Sequence, residues 1–268
     1  MHAACNGMWH GPDSRSGRLT TLAPMTLSAL PIHLQDGPVA YFHSDDALRS
    51  RRVSDVVLWD TLDVPAPSAR LLADWERDVS LGLEPGDVEP LPLARARARW
   101  PALRRCVQAM SDWTRTLGLG DALADCDVAL MVCRGARYHH DADQYGGAAF
   151  CNLFVSEDRE VDVHFPATGH RIPLVRGTAV LFDTGQPHAV IARDGVGFDA
   201  ADFTPERDCT QVFLSWELPI EDTGVARALR IAFDTDTATA LQLDEPQIRL
   251  HGARVGVCPA SGRWHPVE

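Results

Sequence analysis

The sequence predicts an α+β protein: a jelly-roll core of short antiparallel strands, with helices ahead of it packed on its outer face. Three observations carry this. From Cys126 to Leu218 apolar residues gather in short strand-like runs: Val128–Cys133, Ala148–Val155, Val161–Phe165, Ile172–Leu174, Thr178–Phe182, His188–Ala192 and Val212–Leu218. Gly, Pro, Asp or Ser clusters separate those runs, which is the pattern of an antiparallel sandwich or barrel. Ahead of Gly120 the apolar spacing is instead three and four, so helices precede the strands and need a sheet face on which to bury their apolar stripe.

In chain order, residues 1–20 hold Gly, Ser and Arg without periodicity and are expected to form a flexible arm. Residues 21–268 are expected to form a single domain, because the length suits one sizeable core and no linker or internal repeat divides it. Val39–Phe42 and Val56–Trp59 read as strands. Pro65 and Pro67 punctuate the chain, and Ser68 is placed to cap a helix carrying Leu71, Leu72, Trp75 and Val79. Leu93, Ala96, Trp100, Leu103, Val107, Met110 and Leu117 fall on one helical face, with arginines opposite. Pro101 has no N–H to donate, so that helix kinks or restarts there, and Gly118 and Gly120 end it. The jelly-roll core then occupies about residues 125–220. A helix near Val225–Ile231 and a hairpin that includes Ile248–Val257, turning at Pro259–Gly262, fill 221–268.

Bulk properties exclude several classes of function. Hydrophobic content of 45% and charged content of 23% are those of a globular domain. The net charge of −12 argues against binding nucleic acid or an anionic membrane, since both require a positive surface. All 25 basic residues are arginine. No apolar run is long enough to span a bilayer, and Met1–Gly7 lacks the basic start and apolar stretch of a secretory signal. Seven cysteines, odd in number and without a Cys-x-x-Cys, fit reduced thiols in a cytoplasmic protein better than a disulfide framework. The expected partner is a small-molecule substrate.

The chemistry concentrates between Tyr138 and Val190. Side chains two apart on an extended segment point to the same side, so His139 and Asp141 can face one metal ion while His140 points away. His140 with Asp143 is a fallback pair that needs a turn. His188 then enters after a strand ending Phe182-Asp183 and a proline turn. Two imidazoles and one carboxylate that leave coordination positions open form the facial triad of non-haem Fe(II) oxygenases. Metal ligands and catalytic residues are thus His139, Asp141 and His188.

In these residues the chain resembles the Fe(II)/2-oxoglutarate-dependent oxygenases, whose double-stranded β-helix carries His-x-Asp on an early strand and a second histidine late. The matching pieces are His139-His140-Asp141, Phe165–Gly169, Arg176–Phe182 and Pro187–Val190, within about residues 125–218. The resemblance implies Fe(II) as cofactor, 2-oxoglutarate and O2 as cosubstrates, and oxidation of a substrate C–H bond, hydroxylation being the default outcome. The cofactor pair would carry that chemistry and the protein would supply ligands, orientation and exclusion of water. The family places an Arg or Lys at the start of the strand after the second His, where a guanidinium fork matches the far carboxylate of 2-oxoglutarate. Thr210 stands at that position here. Arg207 just upstream is the first substitute and Arg193 the second, with Arg171 and Arg176 behind them. Tyr138 and Asn152 are further pocket candidates, whereas His164 and His170 read as strand and turn residues. The loop Asp194–Glu206 is either a lid or a simple connection. Two other functions stay open at this point: an iron oxygenase that does not use 2-oxoglutarate, which Thr210 would permit, and a non-enzymatic jelly-roll binding module.

Overall fold

The computed structural model describes residues 37–79, 82–204 and 207–267, and the arm expected over residues 1–20 lies outside them. The described chain opens with a hairpin of β1 (Val39–Ser44) and β2 (Ala47–Arg52), turned at Asp45 with φ of 51°. β3 (Val57–Thr61) and helix α1 (Ala69–Val79) follow, and the Leu71 N–H donates to Ser68 Oγ at 3.3 Å, the predicted cap. β4 (Val88–Leu91) leads into α2 (Leu93–Arg99) and α3 (Leu103–Thr116). The stripe from Leu93 to Leu117 is therefore two helices, restarted after Pro101. Trp100, the residue before that proline, has φ −130° and ψ 80°, outside the α region that the proline ring disfavours for it. At the far end the Leu119 N–H bonds to Thr114 O at 3.1 Å and the Gly118 N–H to Arg115 O at 3.0 Å, with Gly118 at φ 78°. That closing pair of bonds satisfies the helix's last carbonyls and explains the glycine there.

Eight strands form the core: β5 (Val128–Arg134), β6 (Ala136–His139), β7 (Ala148–Phe154) after the short helix α4 (Ala142–Tyr145), β8 (Val161–Phe165), β9 (His170–Pro173), β10 (Thr178–Asp183), β11 (His188–Ala192) and β12 (Thr210–Pro219). The larger sheet runs β3-β10-β7-β12-β5-β4 and the smaller β6-β11-β8-β9. Along the chain, β5, β7, β10 and β12 join the first while β6, β8, β9 and β11 join the second, with antiparallel pairing throughout. Two antiparallel sheets filled in this order are a jelly roll, the double-stranded β-helix, so the expected fold class is the observed one.

Strand alternation divides the packing into two cores. On β12, Val212, Leu214, Trp216 and Leu218 turn outward onto Leu71, Trp75, Trp100, Leu103 and Met110 of the helices. Phe213 turns inward among Phe154, Val163, Val180 and Phe182. The helices therefore lie on the outer face of the larger sheet, as their stripes required. Truncating a side chain as buried as Met110 to Ala would remove roughly 2–5 kcal/mol of stability.

The C-terminal part departs from expectation. α5 (Thr223–Ala228), capped by Asp222 onto the Gly224 and Val225 N–H groups, precedes α6 (Thr237–Ala240), β13 (Gln247–Leu250), β14 (Ala253–Val257) and β15 (Trp264–Pro266). The strand expected over Ile248–Val257 is a hairpin of its own. His251 and Gly252 both take positive φ, 52° and 81°, which suits a two-residue turn matching strand twist. The predicted turn at Pro259–Gly262 joins β14 to β15 instead. These strands extend the first hairpin into a sheet ordered β15-β14-β13-β1-β2. The six described cysteines are free, and no helix among the described residues is long and apolar enough to cross a membrane.

Candidate metal centre

Three of the sequence-predicted residues converge. One ligand atom from each of His139, Asp141 and His188 lies within 4.8 Å of the others, and among the described residues they are the one such group. His139 ends β6 and His188 begins β11, and the two are Cα partners, so antiparallel pairing brings their rings to a centroid separation of 4.4 Å. Asp141 arrives differently from the reading of a continuous strand. β6 stops at His139, and Asp141 takes φ −109° and ψ 3° at the start of α4. Its N–H donates to Thr184 O at 2.8 Å, and its own carbonyl accepts from the Gln144 and Tyr145 N–H groups at 3.1 and 2.7 Å. A turn tied to the segment leading to His188, not strand alternation, aims the carboxylate. The fallback pair does not form. His140 faces Trp264 with ring centroids 5.5 Å apart, and Asp143 is exposed.

The hydrogen bonds fix which imidazole nitrogens are available. His139 Nδ1 lies 2.6 Å from Arg137 O, and His188 Nδ1 lies 3.0 Å from Gln186 O. A carbonyl oxygen only accepts, so each Nδ1 is the donor and a neutral ring then keeps an unprotonated Nε2. His139 Nε2 faces Asp141 Oδ1 and His188 Nε2 faces Asp141 Oδ2, each at 3.5 Å. Burial pushes the His188 pKa down to about 3, and the neighbouring His139 adds to that, so its ring is neutral near pH 7. Burial also raises the Asp141 pKa, against the lowering by His139 and His140. One ligand atom from each of two imidazoles and a carboxylate thus faces a common point. Such an arrangement fits a divalent cation, and the orienting carbonyls are what ligating histidines ordinarily have behind them. Phe182 packs edge-on against the His188 ring at 4.8 Å and fixes its plane.

The centre opens into a cavity of about 830 Å³ between the two sheets. Its walls are mainly apolar, with Met131, Phe150, Phe154, Phe182 and Phe213 from the strands. Asn152, anticipated from sequence, lines it; Tyr138 does not, its hydroxyl being 2.6 Å from His164 Nδ1. His170, expected in a turn, instead opens β9; it is exposed, with Nδ1 2.7 Å from Thr168 Oγ1.

The residues expected to hold the carboxylate of 2-oxoglutarate are not among those lining the cavity. Arg193 is committed to Asp158 at 2.8 Å and Asp162 at 2.9 Å, Arg207 reaches Glu160 at 3.4 Å, and neither lines the cavity. Thr210 alternates with Val212 and Leu214, which places it on the face turned away from the interior. Arg171 bonds the carbonyls of Ala192, Arg193 and Gly195, and Arg176 pairs with Glu157. The described part of the Asp194–Glu206 loop is held by Phe198 stacked on Phe203 at 5.4 Å. Gly135, at φ 68°, makes room for that stack, since a Cβ there would come within 2.7 Å of Phe203. The sequence reading missed Tyr145, Ser215, Glu217 and Asp127 on the cavity wall. Alternation along β12 from Phe213 would have pointed to Ser215 and Glu217.

Fold and site together define a jelly-roll protein with a two-histidine, one-carboxylate donor set, the combination for which the chain resembles the Fe(II)/2-oxoglutarate-dependent oxygenases. No family model and no curated protein matches the chain. Solved structures similar to it include the non-heme alpha ketoglutarate dependent epimerase SnoN from nogalamycin biosynthesis, at 14% identity and TM-score 0.32, over 61% of this chain and 78% of that one. A viral collagen prolyl hydroxylase, vCPH from Paramecium Bursaria Chlorella virus-1, aligns at 12% identity and TM-score 0.32, over 60% of this chain and 97% of that one. EvdO2 from Micromonospora carbonacea var. aurantiaca aligns at 15% identity and TM-score 0.31, over 53% and 71%.

Proposed function

We propose that this protein is a mononuclear non-haem iron oxygenase that oxidises a C–H bond of a small molecule held in the cavity. The observation that carries the reading is the facing of His139 Nε2, His188 Nε2 and the Asp141 carboxylate at the cavity wall. His139, His188 and Asp141 would hold Fe(II), the two-histidine, one-carboxylate donor set of non-haem iron oxygenases. Bound iron would supply activation of O2. In the coupled form implied by the resemblance, 2-oxoglutarate is the cosubstrate: one oxygen atom goes to succinate as CO2 leaves, and the other goes to the substrate as a hydroxyl. The chain's own contribution is orientation and shielding. Gln186 O and Arg137 O hold the imidazoles, the Thr184 carbonyl holds Asp141, and phenylalanine walls limit water. The Tyr145 hydroxyl, its pKa raised by burial and then by the Glu217 and Asp141 charges, stays protonated.

One observation favours the second reading, iron-dependent oxidation without 2-oxoglutarate. Among the described residues no arginine lines the cavity, and Gln211, the β12 residue beside Thr210 on the same face as Phe213, is spent on Leu174 O at 3.3 Å. A dianionic cosubstrate would meet no cation there except the metal.

Anaerobic titration with Fe(II), then with 2-oxoglutarate, separates the readings. A visible charge-transfer band and turnover to succinate support the coupled reaction. Tight Fe(II) binding without either supports the second reading. Failure of the wild-type protein to bind Fe(II), or retention of full affinity by His188→Ala, removes both.

A further inference from the structure

The cavity beside the donor set carries charge of one sign. Among the described residues Asp125, Asp127, Asp141 and Glu217 line it and no arginine does. Asp141 faces the imidazoles, whereas the other three carboxylates form no ion pair among the described residues. Strand register arranges the polar groups in layers. Trp216 pairs with Val128, so Glu217 and Asp127, the next residues outward, stand beside one another at the end of the larger sheet. Glu217 is also the Cα partner of Phe150, and Phe150 is that of Phe182, whose ring packs on His188. The carboxylates and the donor set therefore share one level of the barrel. Two residues inward, about 7 Å along the strand at the ordinary rise, Ser215 faces Asn152. Two further inward, Phe213 faces Phe154 and Met131.

Asn152 points to a ligand independently of the acids. It is 8% exposed, lies on the inward face of β7 and leaves Oδ1 buried with no partner. A buried amide oxygen left unmatched is a standing penalty that a bound donor would remove.

We infer that the cavity takes a small amphiphilic amine, its ammonium group at Asp127 and Glu217, its apolar body against Phe150 and Phe154, and a hydroxyl or N–H on Asn152 Oδ1. This substrate class rests on the iron-oxygenase reading only in assigning the reaction. Because the carboxylates lie level with the donor set, the C–H bonds presented to the metal are those near the ammonium end. Free carboxylates at the entrance repel anions and draw cations, and because Asp127 and Glu217 are exposed that selection weakens with added salt.

The test uses the full chain loaded with Co(II), a redox-quiet stand-in, and calorimetric titration with hexylamine, hexan-1-ol, hexanoate and 6-aminohexan-1-ol at pH 7.5. Hexylamine should bind about tenfold more tightly than hexan-1-ol, with hexanoate weakest. In Asp127→Asn/Glu217→Gln, hexylamine should fall to within about twofold of an unchanged hexan-1-ol. The further gain of 6-aminohexan-1-ol over hexylamine should vanish in Asn152→Leu. Equal binding of amine and alcohol, preference for the carboxylate, or an amine preference that survives the double substitution overturns the inference. The cobalt spectrum keeps the two ideas apart. Absence of ligand-field bands removes the metal reading while the amine comparison is still read on the metal-free protein, and bands without amine preference remove the substrate class alone.

Discussion

Arg51 and Asp183 form an ion pair from which solvent is wholly excluded, both side chains being 0% exposed and joined through two parallel bonds of 2.6 and 2.7 Å. Arg51 sits on β2 of the outer sheet, and Asp183 ends the strand that turns toward His188. The same carboxylate accepts the Ser54 and Gly185 N–H groups at 2.7 and 2.8 Å, and Arg51 Nε donates to Gly146 O at 2.9 Å. One buried pair thus ties the first hairpin to both turns that carry metal ligands. Arg51→Ala would leave a carboxylate buried without its counter-charge, an expected loss of roughly 3–5 kcal/mol in denaturant unfolding. Adding Asp183→Ala should not restore stability, because two backbone N–H groups would then be orphaned. Full recovery in the double variant would show that the pair acts alone.

The adjacent histidines should separate cleanly. His139 has its Nε2 toward Asp141, while His140 packs on Trp264 with Nδ1 buried and unbonded. His139→Ala should abolish stoichiometric Fe(II) or Co(II) binding. His140→Ala should keep it, with at most the ten- to hundredfold weakening typical of residues behind the ligands. The opposite ranking in a metal titration would move the site to His140 and Asp143.

The two arginines expected to hold 2-oxoglutarate should leave its affinity alone. Arg193 bridges Asp158 and Asp162, and Arg207 touches Glu160, all away from the cavity. Both are partly exposed, so Arg207→Ala should cost no more than about 1 kcal/mol of stability. Asp162 is almost fully buried, so Arg193→Ala should cost more than Arg207→Ala. A large rise in the 2-oxoglutarate concentration needed for turnover in either variant would contradict this placement.

Stability should fall at alkaline pH through Tyr41. Its hydroxyl donates to Asp236 at 2.7 Å, and burial, with that bond and charge, pushes its pKa up to about 12. An acid whose folded pKa is raised favours folding below its unfolded value near 10 and loses that contribution as pH rises toward 12. Asp236, lowered chiefly by the same hydrogen bond, works the other way and loses its contribution as pH falls through its lowered pKa. Tyr41→Phe should flatten the alkaline arm of a stability–pH curve between 10 and 12; an unchanged arm would assign it to other groups.

The sequence by itself determined the strands of the core, the helices ahead of them, the break at Pro101 and the identity of the three converging residues. Those are local matters: alternation follows from the pleat, a helical stripe from its turn, and a proline from its missing N–H. It also marked His188 as the distant third member, by its place after the strand ending Phe182-Asp183 and a proline turn. Tertiary structure decided the rest. Pairing of Val39 with Arg249 has no local signature, so the outer sheet and its buried Arg51 were invisible. Asp141 faces the imidazoles because a turn, anchored on Thr184, aims it. Whether an arginine reaches a cavity depends on which carboxylate it meets first, and Arg193 meets Asp158 and Asp162. The one-sided charge of the cavity has the same origin: Asp127 and Glu217 are far apart in the chain, and only the register of β5 on β12 sets them side by side.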